Sequence, residues 1–178
     1  MQAHPLRLSP GDDLRASIEH ALRQHASHAA FVIQGIGSLS VAQLRFAGVD
    51  LPTELRGDLE ILTLAGSVSS DGAHLHMSVS DALGRVSGGH VASGCVVRTT
   101  AEILLVMLPE HRFSREPDAG TGFNELVIRR EPGERRRSRM KKWRREHAAC
   151  GAIACRCDGK DPPQPDSVLT SARYRPLP

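Results

Sequence analysis

The stretch His74-Leu75-His76-Met77-Ser78-Val79-Ser80-Asp81, then Ala82-Leu83-Gly84, then Arg85-Val86-Ser87-Gly88-Gly89-His90-Val91 decides how the chain is read. Two β-type runs flank a short segment that ends in glycine, the pattern of an antiparallel hairpin. A three-residue loop wants glycine at its last, left-handed position, and Ala82-Leu83-Gly84 supplies it. Asp81 then pairs with Arg85, Val79 faces Ser87, Met77 faces Gly89, His76 faces His90 and Leu75 faces Val91. One face becomes Leu75, Met77, Val79 and Val91, which is core; the other becomes His74, His76, Ser78, Gly88 and His90, which is polar. A two-residue loop would put His90 among the apolar side chains. Because a slip of one residue flips every side chain, the three-residue loop is preferred.

Outward from the hairpin, the chain alternates short β-type runs with turn signals. Strands are expected at Ala30–Gln34, Leu39–Phe46, Leu59–Val68, His74–Ser80, Arg85–Val91, Cys95–Thr99, Glu102–Leu108 and Glu125–Arg129. Gly35-x-Gly37 lacks the third glycine of a dinucleotide fingerprint and is read as a tight turn between strands. Before these runs, Asp12 or Asp13 can cap a helix whose Leu14, Ile18, Ala21, Leu22 and His25 share one face. One helix with many short strands implies an α+β domain on a largely antiparallel sheet.

With 178 residues, 40% apolar and 24% charged, the chain suits one domain with a sizeable core and excludes wholesale disorder. The longest apolar run, Ile103 to Leu108, falls far short of the ~20 residues that span a bilayer. No membrane partner is expected. No secretory leader is recognised, and four cysteines without a Cys-x-x-Cys spacing point to a reducing, cytoplasmic setting. Residues 1–128 carry a net charge of −5, residues 129–147 carry +7 and residues 148–178 carry +1, so the overall +3 comes from one short segment. Residues 1–130 are therefore read as the domain, and residues 131–178 as a basic, then Pro-rich, disordered tail. In that tail Arg135, Arg136, Arg137, Arg139, Lys141, Lys142, Arg144 and Arg145 offer an electrostatic footprint for DNA, with Trp143 able to stack. The alternative for such a run is an ordinary solvated tail. The acidic domain itself would repel phosphate.

Side chains at i and i+2 of a strand share a face, so His74 and His76 can address one ion, and the hairpin register brings His90 beside them. Three neutral imidazoles suit Zn²⁺, or another divalent transition metal, with a fourth position open for water or a small ligand. The competing reading is a polar face whose histidines bond to neighbours or water. Glu60 is the first added oxygen ligand to inspect, and Ser38, Arg98 and Thr99 could line a pocket. Asp81, Glu60 or Glu102 could serve a metal-dependent enzyme as base, but no catalytic motif places them, and the sequence leans against an enzyme.

Several blocks together resemble the PPC domain, the module shared by plants and prokaryotes and also called PCC. They are Glu60 to Ser67, His74 to Asp81, Gly84 to His90, Gly94 to Glu102, the early Gly35-Ile36-Gly37-Ser38 and the late Thr121 to Leu126. The resemblance covers about residues 4–130. It implies a compact α+β domain that assembles as a homotrimer, and a metal held by His74, His76 and His90. In plants the domain accompanies AT-hook DNA-binding motifs, but the Arg-Gly-Arg-Pro core of that motif is absent here. Fold resemblance alone does not confer DNA binding.

Overall fold

A computed structural model of the chain describes residues 1–131. The tail from residue 132 onward, including Arg135, Arg136, Arg137, Arg139, Lys141, Lys142, Arg144 and Arg145, lies outside the described residues. In chain order the elements are β1 (Gln2–Leu8), α1 (Leu14–Gln24), β2 (Ala29–Arg45), β3 (Thr53–Ser69), β4 (Gly72–Ser80), β5 (Val86–Val91), β6 (Val96–Met107), β7 (His111–Pro117) and β8 (Asn124–Arg130).

The main sheet has six strands in the order β1-β6-β2-β3-β4-β5, with every pairing antiparallel. It curls until β5 meets the far end of β2, where Leu44 pairs with Val91 and Arg45 with His90. Strands β2 to β5 thus close into a ring, which covers part of the β5 edge and leaves β1 as the open edge of the sheet. Inside lie Leu39, Leu44, Leu64, Leu75 and Leu105, all fully buried. The helix caps this core. Asp13 is its N-cap and accepts the Ala16 N–H at 2.8 Å, while Leu14, Ile18, Ala21 and Leu22 are buried. His25 departs from the expected face: it stands at the C-cap, exposed, with its ring 4.2 Å from that of His4. Hairpin β7–β8 packs on this body through Phe113, which is buried and makes an edge contact with Phe31 at 5.2 Å. The described residues therefore form one compact α+β domain, a mostly antiparallel sheet with one helix.

Two expectations need correction. The runs Ala30–Gln34 and Leu39–Phe46 are one continuous β2, so Gly35-x-Gly37 is no turn between strands. A Cβ on Gly37, at φ 141°, would lie 2.3 Å from the Thr100 carbonyl oxygen, and one on Gly35 would lie 2.9 Å from Leu64 Cδ2. These glycines let neighbouring strands press close while β2 bends through irregular register against β6. Likewise Cys95–Thr99 and Glu102–Leu108 merge into β6. Strands β1 and β7 were not expected. Pro5 interrupts the strand signal of β1, which is tolerated because β1 is an edge strand, and β7 is mostly charged.

Candidate metal centre

The β4–β5 hairpin closes through the three-residue loop. Gly84 is left-handed at φ 75°, its N–H reaches the Asp81 carbonyl at 2.9 Å, and the Asp81 N–H reaches the Arg85 carbonyl at 3.0 Å. His76 pairs with His90, Met77 with Gly89 and Val79 with Ser87. Leu75, Met77, Val79 and Val91 are buried as expected. The Arg85 guanidinium, donating to the Asp81 carboxylate, holds its pKa down, helped by the backbone N–H groups of Arg85 and Leu83 that the carboxylate also accepts. Asp81 clamps the loop and has little capacity left to act as a base.

On the opposite face the rings of His74, His76 and His90 converge, with centroids 4.9–5.6 Å apart. One ligand nitrogen from each lies within 4.8 Å of the others. His74 Nε2 and His76 Nε2 are 3.1 Å apart. Tetrahedral bonds of roughly 2.0–2.1 Å would put ligand nitrogens about 3.4 Å apart, so the donor set fits a Zn²⁺-sized cation with small side-chain movements. Burial pushes the His74 pKa down, with the Arg115 charge adding to it. Burial also pushes His90 down, to about 4, assisted by the charges of His74 and Arg45. Both rings are thus held in the neutral form that ligates metal.

The surroundings are cationic. Arg45 stands directly across the β2–β5 ladder from His90, so Arg45, His90 and His76 form a row on one face. Arg115, from β7, donates to Ser67 Oγ at 3.1 Å and to Nδ1 of His74. With Nδ1 accepting, the neutral His74 ring carries its proton on Nε2, where it bonds to His76. A cation held through His74 Nε2 would need that lone pair, and the ring proton would then belong on Nδ1, the atom to which Arg115 now donates. Neither arginine was legible as a site residue. Arg115 arrives on an unexpected hairpin, and Arg45 depends on the closure of the sheet.

The other sequence candidates lie elsewhere. Glu60 pairs with Ser80, four residues along β4 from His76, or roughly 13 Å at ~3.3 Å per residue. It is exposed and outside the histidine group. Ser38 is buried and bonds to Thr99 Oγ1 at 2.5 Å, between β2 and β6. Arg98 pairs with Asp58 at 3.0 Å on the surface. Glu102 is exposed and faces Arg7 and Ile36. None of them joins the histidines.

The lowered histidine pKa values carry a stability consequence for metal-stripped protein. The unfolded chain takes up these protons at its ordinary ~6.5, whereas folded His90 resists until about 4. Unfolding therefore binds protons in this window, and stability falls as pH drops from ~6.5 towards 4. Thermal melts of chelator-treated protein should show that slope, and His90→Gln should flatten part of it. An unchanged slope in His90→Gln would remove His90 from the account.

Comparison with known proteins agrees with this architecture. The chain is 48% identical over 134 residues to the bifunctional protein GlmU of Synechococcus sp. strain JA-2-3B'a(2-13); the match covers 75% of this chain and 21% of that protein. The chain thus spans about a fifth of the length of that curated relative. A hypothetical protein from Salmonella, solved at 1.55 Å, superposes with a TM-score of 0.71 at 38% identity, covering 74% of this chain and 95% of that one. The metal-containing protein AF0104 from Archaeoglobus fulgidus superposes with a TM-score of 0.61 at 30% identity, covering 71% and 94%. The profile of the Plants and Prokaryotes Conserved (PCC) domain matches residues 1–109, more than half of the chain. Its strand order, its histidine hairpin and this match lead to one statement: the chain belongs to the PCC, or PPC, domain family.

Proposed function

We propose that the chain is a homotrimeric PPC-domain protein of the cytoplasm that binds a divalent transition metal, Zn²⁺ by preference, through His74, His76 and His90. The observation that carries this reading is the convergence of three imidazoles, with ligand nitrogens within 4.8 Å, on the polar face of one hairpin. A fourth coordination position remains for water or a small ligand. The name of the 30%-identical Archaeoglobus protein, metal-containing, points the same way. For the trimer, the support is an apolar patch on the central strands: Ile33, Ile36, Leu62 and Leu104 are between 38% and 53% exposed. A cyclic assembly would bury such a patch.

Elemental analysis of purified protein with light scattering tests both parts. Expected are one zinc ion per chain and the mass of three chains. Failure to retain zinc after loading and dialysis would sink the metal reading, and a monomer mass at micromolar concentration would sink the trimer. A second reading places DNA contact in residues 131–178, on the strength of the +7 carried by residues 129–147. The full chain and a chain ending at Arg130 separate it through the salt dependence of duplex binding. Equal binding by both would remove the tail from the account.

A further inference from the structure

A cleft of about 560 Å³ opens beside His74 and His90, walled by α1, β2, the start of β4 and the β7–β8 hairpin. Three arginines line it, and their bonding separates them. Arg15 is occupied: its Nε holds Glu19 at 3.0 Å and its guanidinium donates to the Val91 carbonyl at 3.1 Å. Arg45 is exposed, stands opposite His90, and has no carboxylate ion pair among the described residues. Arg115 reaches its carboxylate, Glu125, only at 4.0 Å, and spends its nearer donors on Ser67 and His74. The other acid in the wall, Asp71, already accepts the backbone N–H of Arg115 at 2.9 Å. Two guanidinium groups therefore flank the histidines: Arg45 without a carboxylate partner among the described residues, and Arg115 held only loosely by Glu125, while Asp71 stays charged as it accepts a backbone N–H.

We propose that this cleft takes a small oxyanion, the carboxylate or phosphate group of a metabolite-sized molecule, held by Arg45 and Arg115 beside the three histidines. The inference rests on the metal reading for its second anchor, the open coordination position. Guanidinium forks match carboxylate and phosphate geometry and make charge-assisted hydrogen bonds. Phe123, 73% exposed in the same wall, offers an apolar surface for the rest of the ligand. Metal and anion should reinforce each other. A cation at His74 Nε2 releases the Arg115 guanidinium from Nδ1 and frees it for the anion, and such coupling is reciprocal.

Isothermal titration of the full chain, zinc-loaded and metal-stripped, with malonate, inorganic phosphate and uncharged malonamide tests this. Malonate or phosphate should bind the zinc-loaded protein more tightly than the stripped one, and malonamide should not bind. Arg45→Met should weaken anion binding roughly 10–100-fold, the worth of a hydrogen bond to a charged group, with zinc content unchanged. Arg115→Gln should do the same, whereas Arg56→Gln, remote from the cleft, should have no effect. Zinc bound normally with neither anion binding, or with binding indifferent to Arg45→Met and Arg115→Gln, overturns the proposal and leaves the metal reading standing. Arg45-dependent anion binding by a protein that cannot take up zinc supports the cleft and overturns the metal reading instead.

Discussion

Replacing His76 by alanine is expected to lower the zinc affinity of the chain by more than the ~10–100-fold that outer-shell partners of a metal site are worth, because one of the three proposed ligands is lost. His76 is the middle of the three: it pairs with His90 across β4–β5 and lies 3.1 Å from His74 between ring nitrogens. It is also exposed, so the substitution leaves the core intact, and a loss of binding cannot be charged to misfolding. Competition against a chromophoric chelator reads the affinity, and circular dichroism confirms the fold. His28→Ala and His111→Ala, which lie outside the hairpin, should match the unsubstituted protein. Zinc binding by His76→Ala at unchanged affinity would return the trio to the status of an ordinary polar face.

The second large effect is expected at Gly66. This residue pairs with Leu75, between His74 and His76, and with Val32 on its other side. At φ 152° it holds a backbone that L side chains rarely adopt, and a Cβ would lie 2.0 Å from the His74 carbonyl oxygen. Gly66→Ala should therefore cost about 2–6 kcal/mol, from ~1–3 of overpacking and ~1–3 of backbone strain. Urea unfolding at fixed protein concentration measures it. Gly57, at φ 125° with open space around its Cβ position, is the control: Gly57→Ala bears the strain without the collision and should lose less. Equal losses at the two sites would mean that crowding contributes nothing. The same substitution should weaken zinc binding, since the obstructed carbonyl belongs to a proposed ligand.

The histidine cluster of the candidate site was legible in so far as it is local. Alternation along β4 and β5, with one left-handed glycine at the loop, allows a single register that buries Leu75, Met77, Val79 and Val91, and that register alone brings His90 opposite His76. The helix was legible for a similar reason. Asp13 and the spacing of Leu14, Ile18, Ala21 and Leu22 act within a few residues of one another. What only the tertiary structure decided depends on contacts far apart in sequence. Glycines at 35 and 37 look like turn residues until β6 and Leu64 are seen pressing on them. Arg45 becomes a neighbour of His90 because the curled sheet closes β5 onto β2, and Arg115 reaches His74 because Phe113 seats the β7–β8 hairpin on the body of the sheet. Local periodicity reports which face of a strand is dry. Which strands meet across the molecule is set by how the whole sheet twists and closes, and so the three histidines could be read from the chain while the two arginines beside them could not.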